Sequence, residues 1–394
     1  MLMNTQNTPV HIRLWHRDFW LMAFANLLLT LGVYILIPVL PMWLLEGENL
    51  SLQETGLAMG AFGLGLWLLG CFTSFLVQHY RRNMACIWAI LLLAASLGVL
   101  YYLDLQQAQF AGFSVILFQR LVMGAAFGVA QMILSSTLII DTCESFQRTE
   151  ANHSASWFSR FSLSLGPMAG IILMRYFGFQ TVLLTAIGCT LVPVLLILFV
   201  HFPFRAPEED IQVFSLDRFF LPQSWPLLLN LIVITAVVGM LMTLPLSELF
   251  YAMMMAGFLL ALLAQRFVFR NAELKSEVVT GLVLTGCALL MMLTREQAIV
   301  FFAAPLFIGF GLGIIGSRFL LFFIKLSRHC QRGTSQSTFM LGWESGLAAG
   351  LCVGYACLGG QQEMILRTAL VVTVAALLLY NFFTHRWFLS HKNR

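Results

Sequence analysis

Twelve apolar stretches, each long enough to cross a bilayer, fill the chain almost from end to end. A helix of about 20 apolar residues covers the hydrocarbon core of a membrane. Backbone N–H and C=O groups inside lipid must bond within the protein, so spanning segments form helices or a closed barrel. Barrel strands are shorter and alternate between apolar and polar residues, so these stretches predict helices. The predicted spans are 19–45, 52–77, 84–103, 110–140, 154–177, 181–202, 225–245, 249–269, 278–293, 298–324, 339–358 and 364–388.

The composition agrees with a chain that lies mostly in lipid. Hydrophobic residues make up 59% of it and charged residues 10%, whereas soluble domains are about half apolar and about a quarter charged. Lys and Arg accumulate in cytoplasmic loops. With the N-terminus inside, the internal segments hold 16 of the 22 Lys and Arg residues and the external segments hold three. This bias predicts that both termini are cytoplasmic, and we expect the protein in a bacterial-type inner (plasma) membrane. It also attributes the formal charge of +4 to membrane topology and predicts no nucleic-acid partner.

A polar segment divides the predicted spans into six and six. We expect an N-terminal six-helix bundle over residues 1–204, a cytoplasmic linker over 205–224 and a C-terminal six-helix bundle over 225–394. The second part of the linker carries apolar residues. It indicates either a short amphipathic piece on the inner membrane surface or a plain connection.

The two halves also resemble each other in sequence. Gln147-Arg148 precedes the fifth span as Gln331-Arg332 precedes the eleventh, 184 residues later. At the same offset Arg160 corresponds to Glu344. These sequence similarities occur in the same order in both halves and indicate an internal duplication. With the twelve spans, they predict an all-α membrane protein of twelve transmembrane helices in two pseudo-symmetric six-helix bundles.

Three short sequence motifs lie in the N-terminal half. The fourth span contains RLVMGAAFG, from Arg120 to Gly128, and the fifth contains GPMAG, from Gly166 to Gly170. The loop after the second span reads QHYRRN from Gln78. With the twelve spans and the six-plus-six division, these motifs resemble the major facilitator superfamily over essentially the whole chain.

The resemblance implies a secondary active transporter that works by alternating access. The GPMAG segment resembles a motif associated mainly with members that export substrate against protons. The family's counterpart of Arg120 is implicated in proton coupling or substrate binding. In the family's loop motif an acid helps to latch the halves together, and here Gln78 stands near that position, followed by Arg81 and Arg82. The resemblance therefore does not imply a charged latch at Gln78.

Four charged residues lie well inside the predicted spans, away from their ends, where a charge is costly unless it faces a polar cavity or a partner. Arg120 has either a functional role or a structural one in bonding helix-end carbonyls. Glu344 is the only acid well inside a span and the leading candidate for a coupling proton. Arg318 lies as far before Gln331 as Glu344 lies after it, so these two form the best candidate ion pair. A competing arrangement pairs Glu344 with Arg160, and a permanently ionised structural pair remains the alternative to proton transfer.

The glycines of the two span motifs predict close helix packing. Gly124 and Gly128, like Gly166 and Gly170, are four residues apart, and small residues at this spacing let helices approach each other. Pro167 removes one backbone hydrogen bond and bends its helix. We expect packing and hinge roles from these five residues, and no contact with substrate.

Three polar residues are the candidates for a substrate cavity. Asn26 and Tyr34 are eight residues apart on the first span and so lie on nearly one face. In the resembled family the first span lines the cavity. Asn230 has the matching place in the seventh span. Trp157, Trp343 and the many Phe and Met residues would also suit an apolar cavity, but core packing is favoured for them.

The function predicted from these features is proton-coupled export of a small apolar or amphipathic compound. Uptake of a nutrient by proton symport, a lipid flippase and a non-transporting membrane sensor are the alternatives. No P-loop, H-E-x-x-H or G-x-S-x-G motif occurs, so we expect no enzyme activity, no cofactor and no metal site. The expected partners are the substrate, protons and membrane lipids, and we expect a monomer.

Overall fold

The protein, represented by a computed structural model, is described for residues 13–106, 112–202, 212–269, 273–295 and 297–392. This part of the chain contains twelve long helices and no strand. We number them α1 (Arg17–Gly47), α2 (Leu52–His79), α3 (Arg82–Leu105), α4 (Phe113–Asp141), α5 (Arg148–Phe177), α6 (Phe179–Leu198), α7 (Pro222–Leu241), α8 (Glu248–Phe267), α9 (Leu274–Thr294), α10 (Ala298–Leu326), α11 (Arg332–Cys352) and α12 (Gln362–His391). A π-helical turn, Val353–Cys357, continues α11.

Local chemistry sets several of the helix ends. Ser51 begins α2 with a capping box, in which its side chain accepts a hydrogen bond from the Glu54 backbone N–H and its own backbone N–H donates to the Glu54 carboxylate. Ser247 caps α8 by accepting from the backbone N–H of Phe250. Gly178 has a φ of 83° between α5 and α6. Side chains disfavour that backbone conformation, so glycine permits the tight connection.

Ten of these helices are long and apolar enough to cross a membrane by length and composition. The other two, α5 and α11, begin earlier than predicted, at Arg148 instead of 154 and at Arg332 instead of 339. Their first turns carry polar residues that do not fit an apolar span. These turns are nevertheless helical and lie where the two halves of the molecule meet, so apolar patterning alone placed both starts too late.

The helices form two bundles with the same internal arrangement. In the N-terminal bundle α1 packs on α5 and α6, α3 packs on α4 and α6, and α2 packs on α4. In the C-terminal bundle α7 packs on α11 and α12, α9 packs on α10 and α12, and α8 packs on α10. Each pair in one bundle matches a pair six helices later in the other. The predicted fold class, twelve helices in two pseudo-symmetric bundles, is confirmed.

The bundles meet along α2–α11 and α5–α8, which are again related by six helices. We call the side on which α1 begins and α12 ends the termini side. On the opposite side a Cβ on Gly56 would lie 2.6 Å from the backbone nitrogen of Ala356. On the termini side a Cβ on Gly333 would lie 2.9 Å from the carbonyl oxygen of Ser136. The halves therefore touch on both sides of the membrane, which is an occluded arrangement.

Part of the predicted linker packs between the bundles on the termini side. Residues 205–211 lie outside the described residues. Residues 212–221 form no helix. The backbone N–H of Ser215 donates to the Cys71 carbonyl at 3.1 Å, and that of Leu221 donates to Thr338 Oγ1 at 2.9 Å. This described segment thus contacts both halves.

The glycines of the fourth-span motif lie where α4 crosses α2. A Cβ on Gly124 would overlap the carbonyl oxygen of Phe62, and a Cβ on Gly128 would lie 3.0 Å from that of Leu66. The packing role predicted for this pair therefore has a structural basis, since no larger side chain fits without a shift of α2.

The fifth-span motif makes the equivalent contact between α5 and α1. A Cβ on Gly166 would lie 2.8 Å from Tyr34 Cβ, and a Cβ on Gly170 would overlap the Ile35 carbonyl oxygen. Pro167 lies inside α5, between these two close approaches. The motif thus brings α5 against the part of α1 that carries Tyr34.

We expect Gly124→Ala to destabilise the protein by about 1–3 kcal/mol, because overpacking forces neighbouring backbone to move. The matched control is Gly98→Ala in α3, where a Cβ would meet nothing within 4 Å. The control should keep or slightly raise the melting temperature, since Ala favours helix by up to about 1 kcal/mol over Gly. Thermal unfolding in detergent measures both variants. Equal melting temperatures would remove the packing role from Gly124.

Candidate functional site

Near the middle of the molecule, a hydrogen bond between two buried side chains joins the two halves. Tyr34 on α1 donates its hydroxyl to Glu344 Oε1 on α11 at 2.5 Å. Both side chains are buried. A buried carboxyl group has few ways to satisfy its oxygens, so this phenol is its main described support.

A narrow cavity lies beside this hydrogen bond. Tyr34, Glu344 and Arg120 line it together, and its other walls are apolar side chains from α1, α2 and α11. It has room for little more than one water molecule. The structure therefore brings together three of the predicted site residues, from three helices and both halves, around a narrow space whose lining side chains are all buried.

Arg120 is buried on α4 and belongs to none of the ion pairs among the described residues. Its Nε donates to the carbonyl oxygen of Ala58 at 3.4 Å, and its Nη1 lies 3.2 Å from Met123 Sδ. The guanidinium also lies over the ring of Phe62, 5.0 Å from its centroid. A guanidinium with such weak partners is poorly compensated for leaving water, and it faces the cavity that holds the Glu344 carboxyl.

Glu344 also lines a second small cavity, on its other side. That cavity includes Gln131 of α4 together with apolar residues of α2, α4 and α11. Gln131 was missed by the sequence analysis, because a single amide in an apolar span gives no charge signal. Glu344 therefore lies between two cavities, one shared with Arg120 and one shared with Gln131.

Asn26 fixes the position of Gln131 through a network within the N-terminal bundle. The Asn26 side-chain amide donates to the Ala155 carbonyl at 2.9 Å and to Ser159 Oγ at 2.7 Å. Its Oδ1 accepts from Gln131 Nε2 at 2.9 Å. Asn26 thus links α1 to α4 and α5. It does not line the second cavity itself, but it contacts Gln131, which does.

Asn230 lies at the corresponding place on α7 but has a different environment. Its side-chain amide donates to the carbonyl oxygen of Ala376 on α12 at 3.3 Å. Neither Asn230 nor Asn26 is among the residues that line the two cavities around Glu344. Of the three predicted substrate-cavity residues, only Tyr34 lies in the cavity lining, and substrate contact by the other two stays a prediction.

The predicted ion pair between Arg318 and Glu344 is wrong. Arg318 on α10 donates from Nε to Glu277 Oε2 on α9 at 2.5 Å. The Glu277 side chain is 0% exposed and that of Arg318 is 18% exposed. The prediction assumed that α10 and α11 are neighbours at equal depth, whereas α10 packs mainly on α8 and α9. Glu277 was also overlooked as a buried acid, because it precedes the apolar run of its helix.

The competing pair between Arg160 and Glu344 is not formed either. Arg160 on α5 donates to the Gly313 carbonyl at 3.0 Å and to Ser317 Oγ at 2.7 Å, both on α10. Its guanidinium also lies 4.3 Å from the ring centroid of Trp157. Arg160 therefore joins α5 to α10 across the two halves through neutral partners. Glu344 has neither arginine as a counter-ion.

Because Glu277 is fully buried, we expect Arg318→Met to cost about 3–5 kcal/mol by leaving that carboxylate without its cation. The double variant Arg318→Met with Glu277→Gln should regain most of the lost stability, since it removes both charges. Melting temperatures of the two single variants and the double variant measure the coupling. Additive effects in this cycle would show that the pair contributes nothing to the folded state.

The loop motif between α2 and α3 contains a charge pair that sequence reading missed. Gln78 is half-buried at the end of α2, and Arg81 is exposed before α3. Arg82 begins α3 and pairs with Asp141 at the end of α4. The pair links α3 to α4, as Glu277 and Arg318 link α9 to α10 with the charges reversed. Asp141 gave no signal because it lies 59 residues from Arg82, at the edge of an apolar span.

The sequence matches one protein-family model, described as Major Facilitator Superfamily, over residues 22–351. Comparison with curated proteins gave no match. Among the described residues, no group of three or more His, Cys, Asp or Glu is placed to hold a metal ion.

Several solved structures share the fold. A bacterial homologue of the iron transporter ferroportin, in an outward-facing state, superposes with a TM-score of 0.66 at 17% identity, over 94% of this chain and 99% of that chain. The human organic anion transporter MFSD10 (TETRAN) gives 0.67 at 16% identity, over 92% and 98%. A bacterial homologue of the human lysosomal transporter Spinster, inward-facing and unoccupied, gives 0.67 at 14% identity, over 96% and 98%. At such identities the likeness shows the fold alone.

Proposed function

Because the chain belongs to the Major Facilitator Superfamily, we propose that it is a secondary active transporter that exports a small apolar or amphipathic compound in exchange for protons. The observation that carries the proposal is the Tyr34–Glu344 hydrogen bond, which joins the two halves beside a narrow cavity that both residues share with Arg120. Glu344 carries the coupling proton in this account.

The geometry supports this role through the cost of burying charge. An ionised Glu344 in the closed cavity has a phenol as its described partner and no paired arginine. A protonated Glu344 has no net charge, so closing the two halves around it costs much less. Opening to water favours release of the proton. A proton on Glu344 thus shifts the balance between occluded and open states, which is what coupling requires.

Arg120 supplies the second part of the mechanism. It lines the same cavity as Glu344, and its polar and ring partners among the described residues are a carbonyl, a thioether and an aromatic ring. When Glu344 loses its proton, Arg120 is the nearest described lining cation that compensates the new negative charge within that cavity. Movement of the Arg120 and Glu344 side chains toward each other then links the protonation state of Glu344 to the contact between α4 and α11.

The walls of the cavity favour an apolar or amphipathic substrate. Apart from Tyr34, Arg120 and Glu344, the lining side chains are aliphatic, thioether or aromatic. Apolar pockets with few polar groups select ligands by shape and burial. The substrate enters when the halves separate, since the occluded cavity holds little more than one water molecule.

A panel of candidate substrates tests the proposal in cells or vesicles that contain the protein. Export of at least one apolar or amphipathic compound should depend on the proton gradient and should stop when the gradient is collapsed. Gradient-driven accumulation of a polar nutrient would indicate symport instead. Export that persists without a gradient would rule out proton coupling.

We also propose that the protein works as a monomer in a bacterial-type inner membrane, with lipids as its surroundings and both termini cytoplasmic. The bias of Lys and Arg supports this orientation. Reporter fusions after Arg82, Arg218 and Arg332 should therefore read cytoplasmic, and a fusion at Glu48 should read external. A reversed reading at any of these four sites would contradict the orientation.

A further inference from the structure

A charged cavity lies on the termini side, where both halves and the linker meet. Its volume is about 230 Å³. Its charged lining residues are Arg82, Arg148, Arg218, Arg332, Asp141 and Asp217. Four cations and two anions give this lining a net charge of +2.

Three helices begin at this cavity, and each begins with an arginine. Arg82 is the first residue of α3, Arg148 of α5 and Arg332 of α11. The N-terminal end of a helix carries partial positive charge, so acidic side chains are favoured there and cations are disfavoured. Three arginines at three helix N-termini therefore concentrate positive potential, and an anion in the cavity would relieve it.

Two of these arginines have donor groups without a partner among the described residues. Arg82 is only 8% exposed, and while its Nη1 pairs with Asp141, its Nη2 is buried without a hydrogen bond. Nε of Arg148 is also buried without one. Leaving a buried charged donor unpaired is costly, so both groups mark positions that an acceptor would occupy.

We propose that this cavity binds a phosphate-type anion. Planar guanidinium groups pair with phosphate oxygens through two parallel hydrogen bonds, and helix N-termini add backbone donors and a favourable dipole. Ser136 and Thr334 place hydroxyl groups in the same lining. The cavity is large enough for a phosphate group and too small for most larger ligands. Either an anionic lipid headgroup or free inorganic phosphate supplies this chemistry.

The position of the site gives the anion a conformational effect. Arg148 belongs to the N-terminal half and Arg332 to the C-terminal half, at positions related by the internal repeat. Arg218, in the linker, donates to Thr137 Oγ1 at 3.0 Å and so contacts α4. An anion held by both halves stabilises the state in which the termini side is closed, and it must leave before that side opens. This inference does not depend on proton coupling.

Cys330 provides a direct reporter of the site. It lines the cavity and is exposed, whereas Cys357 is exposed on the opposite side of the molecule. The full-length purified protein is treated with a maleimide, and modification of each cysteine is followed by peptide mass spectrometry. Inorganic phosphate should slow modification of Cys330, but not of Cys357, relative to chloride at the same ionic strength.

Variants and lipids make the test specific. Arg148→Gln should raise the phosphate concentration needed for half protection by at least about tenfold, because charged hydrogen bonds contribute about 1.5–3 kcal/mol. Arg386→Gln, an exposed arginine of α12 on the same side, should leave it unchanged. Arg332→Gln replaces Arg148→Gln if that variant does not fold. Protection in nanodiscs that contain phosphatidylglycerol, but neither in phosphatidylcholine alone nor with free phosphate, would assign the site to a lipid headgroup.

The inference is overturned if neither phosphate nor phosphatidylglycerol protects Cys330 in the wild-type protein. It is also overturned if protection is equal in the Arg148→Gln and Arg386→Gln proteins, or if Cys357 is slowed as much as Cys330. These outcomes concern the termini side alone, so they leave the proposed transport function to its own test.

Discussion

Glu344→Gln should fold, bind substrate and exchange it across the membrane, yet lose all uphill transport driven by the proton gradient. Gln resembles the protonated carboxyl in shape and charge, and its side-chain oxygen still accepts the hydrogen bond from Tyr34. It cannot release a proton. Uphill transport in vesicles should fall to the level of vesicles without protein, while exchange of labelled for unlabelled substrate continues.

The stability of this variant separates coupling from charge balance. If Glu344 neutralised an arginine, its loss would leave a buried cation and cost about 3–5 kcal/mol. Arg318 pairs with Glu277, and Arg160 donates to neutral acceptors. We therefore expect the Glu344→Gln protein to have a melting temperature close to that of the wild-type protein. Glu363→Gln, which removes an exposed carboxylate in the first turn of α12 on the opposite side, is the matched control and should transport normally. Full coupled transport by a stable Glu344→Gln protein would refute the role of Glu344.

Arg120→Ala should remain inserted in the membrane and abolish transport driven by the gradient. The substitution removes the cation from the cavity that holds Glu344 and also removes the contact with the Phe62 ring. Arg120→Lys should restore little activity, because an ammonium keeps the charge but lacks the planar fork that reaches Ala58 and Met123 together. Transport assays in vesicles with equal amounts of protein measure both variants.

The control for Arg120 is Arg295→Ala, which removes one exposed arginine outside the cavity. It should transport at the wild-type rate. Normal transport by Arg120→Ala would instead make Arg120 a structural residue that satisfies helix carbonyls. Good activity in Arg120→Lys would show that the charge is sufficient and that the fork geometry is not used.

Apolar patterning predicts most of this fold because the membrane enforces it. The starts of α2 and α10 agree with the apolar runs at Leu52 and Ala298. The patterning fails at the starts of α5 and α11, since these helices begin at Arg148 and Arg332, in a polar interface between the halves. Length and hydropathy describe contact with lipid. They carry no information about a helix turn that is buried against another part of the protein.

The candidate site was only partly predictable for a related reason. A buried acid and a buried arginine stand out in apolar spans, so Glu344 and Arg120 are visible in the sequence. The partners of these residues cannot be recognised in the sequence. Tyr34, for example, lies 310 residues from Glu344 and contacts it only because the two bundles pack together. Glu277 was hidden for the opposite reason: it lies in the polar first turn of α9 and becomes buried only when α10 covers it.

Proton movement driven by substrate tests the central claim most directly. The purified protein is placed in vesicles with a pH-sensitive dye inside, and a substrate identified by the export panel is given an outward gradient. The account predicts that the interior acidifies in the wild-type protein, as protons enter in exchange for substrate, and that pH stays constant in Glu344→Gln while substrate still leaves. Substrate exit without any pH change in the wild-type protein, or equal acidification in the Glu344→Gln protein, would contradict it.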